Sequence, residues 1–175
     1  MKDLKPPRDP VEVVGEAYEL LLEKSLEEGH KIKEKGNLAL HHFINEAEKD
    51  LSIIEELGKE ETEKLANYLR RDLIDAANYI NKTGGELKDW LGFDIALIED
   101  RLRELFFQAA DQTTKELLEL KYRAEIAGYH TGEITGPGTL VCDKCQEKLH
   151  FHKAGHIPPC AKCRGTHFHR ENVEK

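Results

Sequence analysis

Over residues 10–128, apolar positions recur in a four–three rhythm. Three runs show it: Leu40, Ile44, Ala47, Leu51, Ile54; then Thr62, Ala66, Leu69, Leu73, Ala76, Ile80; then Leu91, Ile95, Ile98, Leu102, Leu105, Ala109. Such alternation places one apolar seam along each helix. An earlier helix is signalled by Asp9-Pro10-Val11-Glu12, where Asp can cap, Pro suits the first helical position and Glu favours the positive end of the dipole. Its apolar positions are Val14, Tyr18, Leu21, Leu22 and Leu26. Gly29 to Gly36 reads as a connection or a strained helical continuation. Leu57-Gly58 and Gly84-Gly85 read as stops. A short last helix with Thr113, Leu117, Leu120 and Ala124 ends at Gly128. The seams are narrow, so the pattern predicts long amphipathic helices arranged as hairpins or a coiled-coil-like bundle, compatible with self-association. The flanking charges read as a solvated face with pairs one turn apart, such as Glu60 with Lys64 and Glu99 with Arg103.

Past Gly128 the helical rhythm stops. Thr139-Leu140-Val141, Lys148-Leu149-His150-Phe151-His152 and Thr166-His167-Phe168-His169 read as three short antiparallel strands. The charge changes at the same place. Residues 1–130 hold 19 Lys and Arg against 29 Asp and Glu, whereas residues 131–175 hold 7 against 5. The expected layout is a flexible tail over 1–9, an acidic helical domain over 10–128 and a small domain over 129–175. The net charge of −8 argues against a general binder of nucleic acid or anionic membranes. No run of 18 apolar residues and no apolar leader near Met1 is present, so the expected location is the cytoplasm.

All four cysteines lie in the small domain. Cys142-Asp143-Lys144-Cys145 is followed, after 14 residues, by Cys160-Ala161-Lys162-Cys163. Two cysteines three apart in a tight turn place both sulfurs on one side of a metal, and a second such turn completes a tetrahedron of thiolates. The expectation is one structural Zn²⁺ on Cys142, Cys145, Cys160 and Cys163 in a three-stranded zinc ribbon. Four thiolates and one Zn²⁺ together carry two negative charges, which Lys144, Lys162 and Arg164 can offset. So small a domain has little core, so the metal supplies stability on the order of 10 kcal/mol. Iron in a rubredoxin-like site uses the same ligands and is the alternative. Paired disulfides fit a chain without a secretion signal less well. A full cysteine set leaves no open position for catalysis.

His150 and His152 flank Phe151, and His167 and His169 flank Phe168. Strand alternation puts the imidazoles on one face and the Phe residues in the core. If those two strands pair, four imidazoles share one surface, which is either a solvated face, or a second weak metal site or pH-responsive patch. His156 reads as a loop residue. In the helical part, Glu27-x-x-His30 occurs once, although a di-iron site needs two such motifs plus two further Glu. No phosphate loop or spare nucleophile beside a base occurs, so no enzyme is expected.

The junction Tyr129-His130-Thr131-Gly132-Glu133-Ile134-Thr135-Gly136-Pro137-Gly138-Thr139-Leu140-Val141-Cys142 reads as turns that dock the small domain on the last helix, or as a recognition loop. Together with the second Cys-x-x-Cys it resembles the bacterial YbeL-like family of zinc-ribbon-containing proteins, whose function is unknown. Gln146 departs from the glycine that many zinc knuckles carry after the first turn. The resemblance implies the metal role of the four cysteines and supplies no activity, substrate or partner. The resulting expectation is a non-enzymatic protein with an unidentified protein partner. Iron redox carriage and nucleic-acid binding are the competing functions, the latter disfavoured by charge.

Overall fold

The computed structural model describes residues 9–31, 40–119 and 127–171. Helix α1 (Pro10–Lys31) begins where the Asp9 carboxylate accepts the Val11 N–H at 2.9 Å, as its start signal requires. The next apolar run divides into α2 (Leu40–Ala47) and α3 (Leu51–Leu57). Tight backbone bonds, from Lys49 N–H to Glu46 O and Asp50 N–H to Ala47 O, turn the chain between them. Gly58 (φ 83°) and Gly84 (φ 64°) bound the 25-residue α4 (Lys59–Thr83), both in the left-handed region that glycine enters without strain.

The run from Leu91 to Ala109 is not one helix. It comprises α5 (Leu87–Leu91), a 3-10 turn (Ile95–Leu97) capped by Asp94, and α6 (Asp100–Glu119). Gly92 (φ 75°) makes the break, and a Cβ there would lie 2.7 Å from Thr139 Oγ1 of the C-terminal sheet. The chain bends because it must pass close to that sheet. Helix α6 then continues through Thr113 and Leu117, so no separate helix begins there; Leu120 and Ala124 lie outside the described residues. Within it Phe106 is fully buried and Leu105 only partly. Glu60 and Lys64 pair at 2.7 Å, whereas Arg103 reaches Asp100, at 2.7 Å.

Helix α4 is the axis of the molecule, with α6, α3, α5, α1 and α2 packed around it. The core joins Tyr18, Leu21 and Leu22 of α1 to Leu65 and Leu69 of α4, Trp90 of α5 and Phe106 of α6. Ile134 and Ala154, from the C-terminal segment, belong to the same core. Among the described residues, no helix is long and apolar enough to cross a membrane.

The C-terminal segment holds β1 (Tyr129–His130), β2 (Ile134–Thr135), β3 (Gly138–Cys142), β4 (Lys148–Phe151), β5 (Gly155–His156) and β6 (His167–Arg170). The main sheet has four strands rather than three, in the order β1-β6-β3-β4, all neighbours antiparallel. The extra edge strand is Tyr129–His130, and β2 pairs separately with β5, which gives His156 a strand in place of a loop. Because β3 lies between β4 and β6, the two His-Phe-His strands do not pair.

Candidate metal centre and its anchor on the helices

The two cysteine turns have the same backbone. After each second cysteine the chain turns left-handed, at Gln146 (φ 61°) and Arg164 (φ 55°). The N–H of each returns to the first cysteine's carbonyl, Gln146 to Cys142 at 2.9 Å and Arg164 to Cys160 at 2.8 Å. Gln146 therefore occupies the conformation that glycine adopts most easily. Its amide also donates to the carbonyls of Cys142 and Asp143, at 3.3 and 3.4 Å.

The four Sγ atoms lie within 4.8 Å of one another. Cys142 and Cys163 are 3.6 Å apart and Cys145 and Cys160 are 3.5 Å apart, so none is joined by a disulfide. A tetrahedral ion with metal–sulfur bonds of about 2.3 Å separates its ligands by about 3.8 Å, which these distances fit. The Gly165 N–H points at Cys163 Sγ (3.4 Å). A Cβ on Gly165 would stand 3.0 Å from Cys142 Sγ and 3.2 Å from Cys163 Sγ, so glycine is what lets the backbone close over the sulfurs. Cys142 and Cys160 are buried on Leu140, Ile157 and Phe168, and Cys145 and Cys163 are half-buried. The N–H of Cys163, then that of Lys162, holds the Cys160 thiol down at about 7. For Cys145 the Glu147 N–H acts in the same direction, but burial and the three neighbouring thiols outweigh it and push that group up to about 12. Lys162 pairs with Glu147 at 3.5 Å beside the turns.

Among the described residues this is the one group of three or more potential ligands brought together. His156 does not join it, since its Nδ1 faces the Gly132 carbonyl at 3.1 Å. The His30 side chain of Glu27-x-x-His30 lies outside the described residues. Phe168 is buried, as alternation requires, while His150, His152, His167 and His169 are exposed. They divide into separate pairs: His150 and His152 each pack edgewise on Phe93, while His167 meets His130 and His169 meets Asp143.

A second polar cluster, absent from the expectations above, lies where the ribbon meets α4. Arg71, Asp72 and Asp75 face Arg170 of β6, and all four are at most 7% exposed. Arg170 reaches Asp72 at 3.5 Å and Asp75 at 3.6 Å, and donates to Thr135 Oγ1 at 2.8 Å. Arg71 contacts Asp72 at 3.3 Å, Glu133 at 2.6 Å and the Ile134 carbonyl at 2.7 Å. Tyr18 donates to Asp72 at 2.9 Å and Tyr129 to Asp75 at 3.0 Å. The Gly136 N–H supplies Asp72 with another donor at 2.6 Å. Buried charges are tolerable only when paired and hydrogen-bonded in this way. Burial raises the Asp75 carboxyl above its ordinary range, against the pull of Arg170 and Tyr129. Burial also works against the charge on Arg170, but Tyr129, Asp72 and Asp75 outweigh it and hold the guanidinium more firmly protonated than usual.

This cluster explains two glycines of the junction. A Cβ on Gly136 would collide with the Tyr18 hydroxyl, and one on Gly138 (φ 138°) with the Arg170 guanidinium. Residues 134–142 of the junction are buried throughout and anchor the ribbon on α4, while His130 and Gly132 stay exposed. A sequence signal existed. Arg170 follows Phe168 by two, so alternation aims it inward, and Asp72 and Asp75 lie among the apolar positions Leu69, Leu73 and Ala76.

Residues 27–172 match the family model described as "Zinc-ribbon containing domain". The chain is 32% identical over 124 residues to "Uncharacterized protein YbeL" of Escherichia coli strain K12, covering 68% of this chain and 74% of that one. The proteins of the same description from Escherichia coli O6:H1 and O157:H7 match to the same extent. No solved structure matches the chain.

Proposed function

The chain belongs to the family of zinc-ribbon containing domains, and from that premise we propose that it is a non-enzymatic protein built around one structural Zn²⁺ on Cys142, Cys145, Cys160 and Cys163. The observation that carries this reading is the closed set of four sulfurs, all within 4.8 Å of one another. Four cysteine ligands fill a tetrahedral ion's coordination and leave no position for substrate or water, which is the structural rather than the catalytic form of zinc site. The polar cluster on α4 is buried and internally paired, so it serves packing and not chemistry. What remains outward is the exposed side of the ribbon and the acidic helix surface. The cellular role that fits is presentation of the ribbon, on a helical scaffold, to a protein partner in the cytoplasm.

Elemental analysis of the purified protein tests the metal assignment. The expected result is a colourless protein with one zinc per chain, lost in Cys160→Ser. A red protein with stoichiometric iron would replace this reading with that of a redox carrier. Capture of a partner from extract should require the metal-loaded ribbon; a partner held equally by metal-stripped protein would remove the ribbon from the interface.

A further inference from the structure

We infer that the outer face of the ribbon carries a second, exchangeable site for a borderline divalent transition ion, formed by His130 and His167. These residues oppose each other across the antiparallel pair β1–β6. Their rings lie with centroids 4.7 Å apart and planes at 78°. Two imidazoles that each give one nitrogen to the same ion, at about 2.0–2.1 Å, hold their centroids about 4.5–5.2 Å apart for ligand angles between square and tetrahedral. The pair therefore already stands at the separation an ion would impose.

The surroundings fix the ring chemistry. Glu133 Oε1 lies 3.2 Å from His130 Nδ1. A carboxylate only accepts, so in the neutral ring the contact selects the tautomer with the proton on Nδ1 and the lone pair on Nε2. Glu133 is itself held, since its Oε2 accepts from buried Arg71 at 2.6 Å and from the His130 backbone N–H at 3.1 Å. A carboxylate behind the far nitrogen is the usual way in which a metal-binding histidine is oriented and made more basic. The Thr166 hydroxyl lies 3.0 Å from His167 Nδ1 and can accept from it in the same sense.

The loop is anchored on both sides. Thr131 N–H donates to Thr166 O at 2.9 Å, Gly132 N–H to Ile157 O at 2.8 Å and Ile157 N–H to Glu133 O at 2.8 Å. Both imidazoles are exposed. Among the described residues no third ligand joins them, so water or another molecule completes the coordination and the ion exchanges freely. Imidazole pairs of this kind take Zn²⁺, Ni²⁺ or Cu²⁺ rather than Mg²⁺ or Ca²⁺.

The test is a calorimetric titration of the zinc-loaded full chain with Ni²⁺ in a non-chelating buffer, with bound zinc measured alongside. One added equivalent of Ni²⁺ is expected without loss of zinc. His130→Gln and His167→Gln should each abolish that uptake, and Glu133→Gln should weaken it 10–100-fold. His152→Gln should leave it unchanged. Absence of saturable uptake by the unaltered protein would overturn the site, as would uptake unchanged in both the His130 and the His167 variant. The zinc measurement distinguishes failure of this site from failure of the four-cysteine centre.

Discussion

Near the start of α4, Glu60 and Lys64 pair with 75% and 54% of their side chains in water. Further along the same helix, Arg71, Asp72 and Asp75 are almost wholly buried. Both sets mix acidic and basic residues on one continuous helix; what differs is the layer that covers each half. The ribbon seals the second half through Arg170, Tyr129 and the Gly136–Gly138 turn, and supplies the counter-charge and donors that make burial tolerable. A charged residue on a helix is thus surface or core according to what its sequence-distant partners bring, and the small domain is part of the helical fold's interior.

The sharpest way to break that comparison is Arg170→Met. It leaves Asp72 and Asp75 buried beside Arg71 alone, and such a change costs about 3–5 kcal/mol, readable by denaturant unfolding. A cost within error of zero would mean that the buried half behaves as surface. Gly138→Ala is next: with φ at 138° and the Arg170 guanidinium in the way, crowding should cost about 1–3 kcal/mol.

A smaller effect belongs to the α1–α6 surface. Glu19 is raised above its ordinary range by burial first, then by the charge of and a hydrogen bond with Glu99. The folded chain therefore keeps this proton to higher pH than the unfolded chain. Stability contributed by the protonated form is complete at acid pH and declines as pH rises from the ordinary glutamate range through the raised value. Glu19→Gln should flatten that decline and leave neutral-pH stability equal or slightly higher, because the partly exposed pair is screened. A steeper pH profile in the variant would reverse the sign. Smallest of all, Glu60→Ala with Lys64→Ala should leave the unfolding midpoint unmoved within error.

The gathering of the four cysteines was legible in the sequence, because two Cys-x-x-Cys turns state their geometry locally. The sequence also marked the ends of α4, through Gly58 and Gly84, and the inward side of β6, through Phe168. The pairing of Asp72 and Asp75 with Arg170 was hidden: local spacing aims each of them inward, but nothing along the chain says that the ribbon is laid on α4. The break at Gly92 was hidden for the same reason: the four–three rhythm continues through Ile95 and Ile98, while contact with Thr139 forces the bend. Gln146 shows the reverse case, a side chain unsuited to its left-handed turn that is kept there by the bonds closing the knuckle.

The shared core and the buried Arg170–Asp72–Asp75 contacts predict that the ribbon and the helices unfold as one cooperative unit. Trp90, the sole tryptophan, lies under the Arg170 guanidinium, with the cation 4.5 Å from its ring, and so reports on the contact between them. The decisive measurement is thermal unfolding of zinc-loaded and chelator-stripped protein, followed by far-ultraviolet circular dichroism and by Trp90 fluorescence together. Stripping the metal is expected to lower both transitions in step. A helical transition unmoved by chelation, with Trp90 emission unchanged, would contradict that cooperativity.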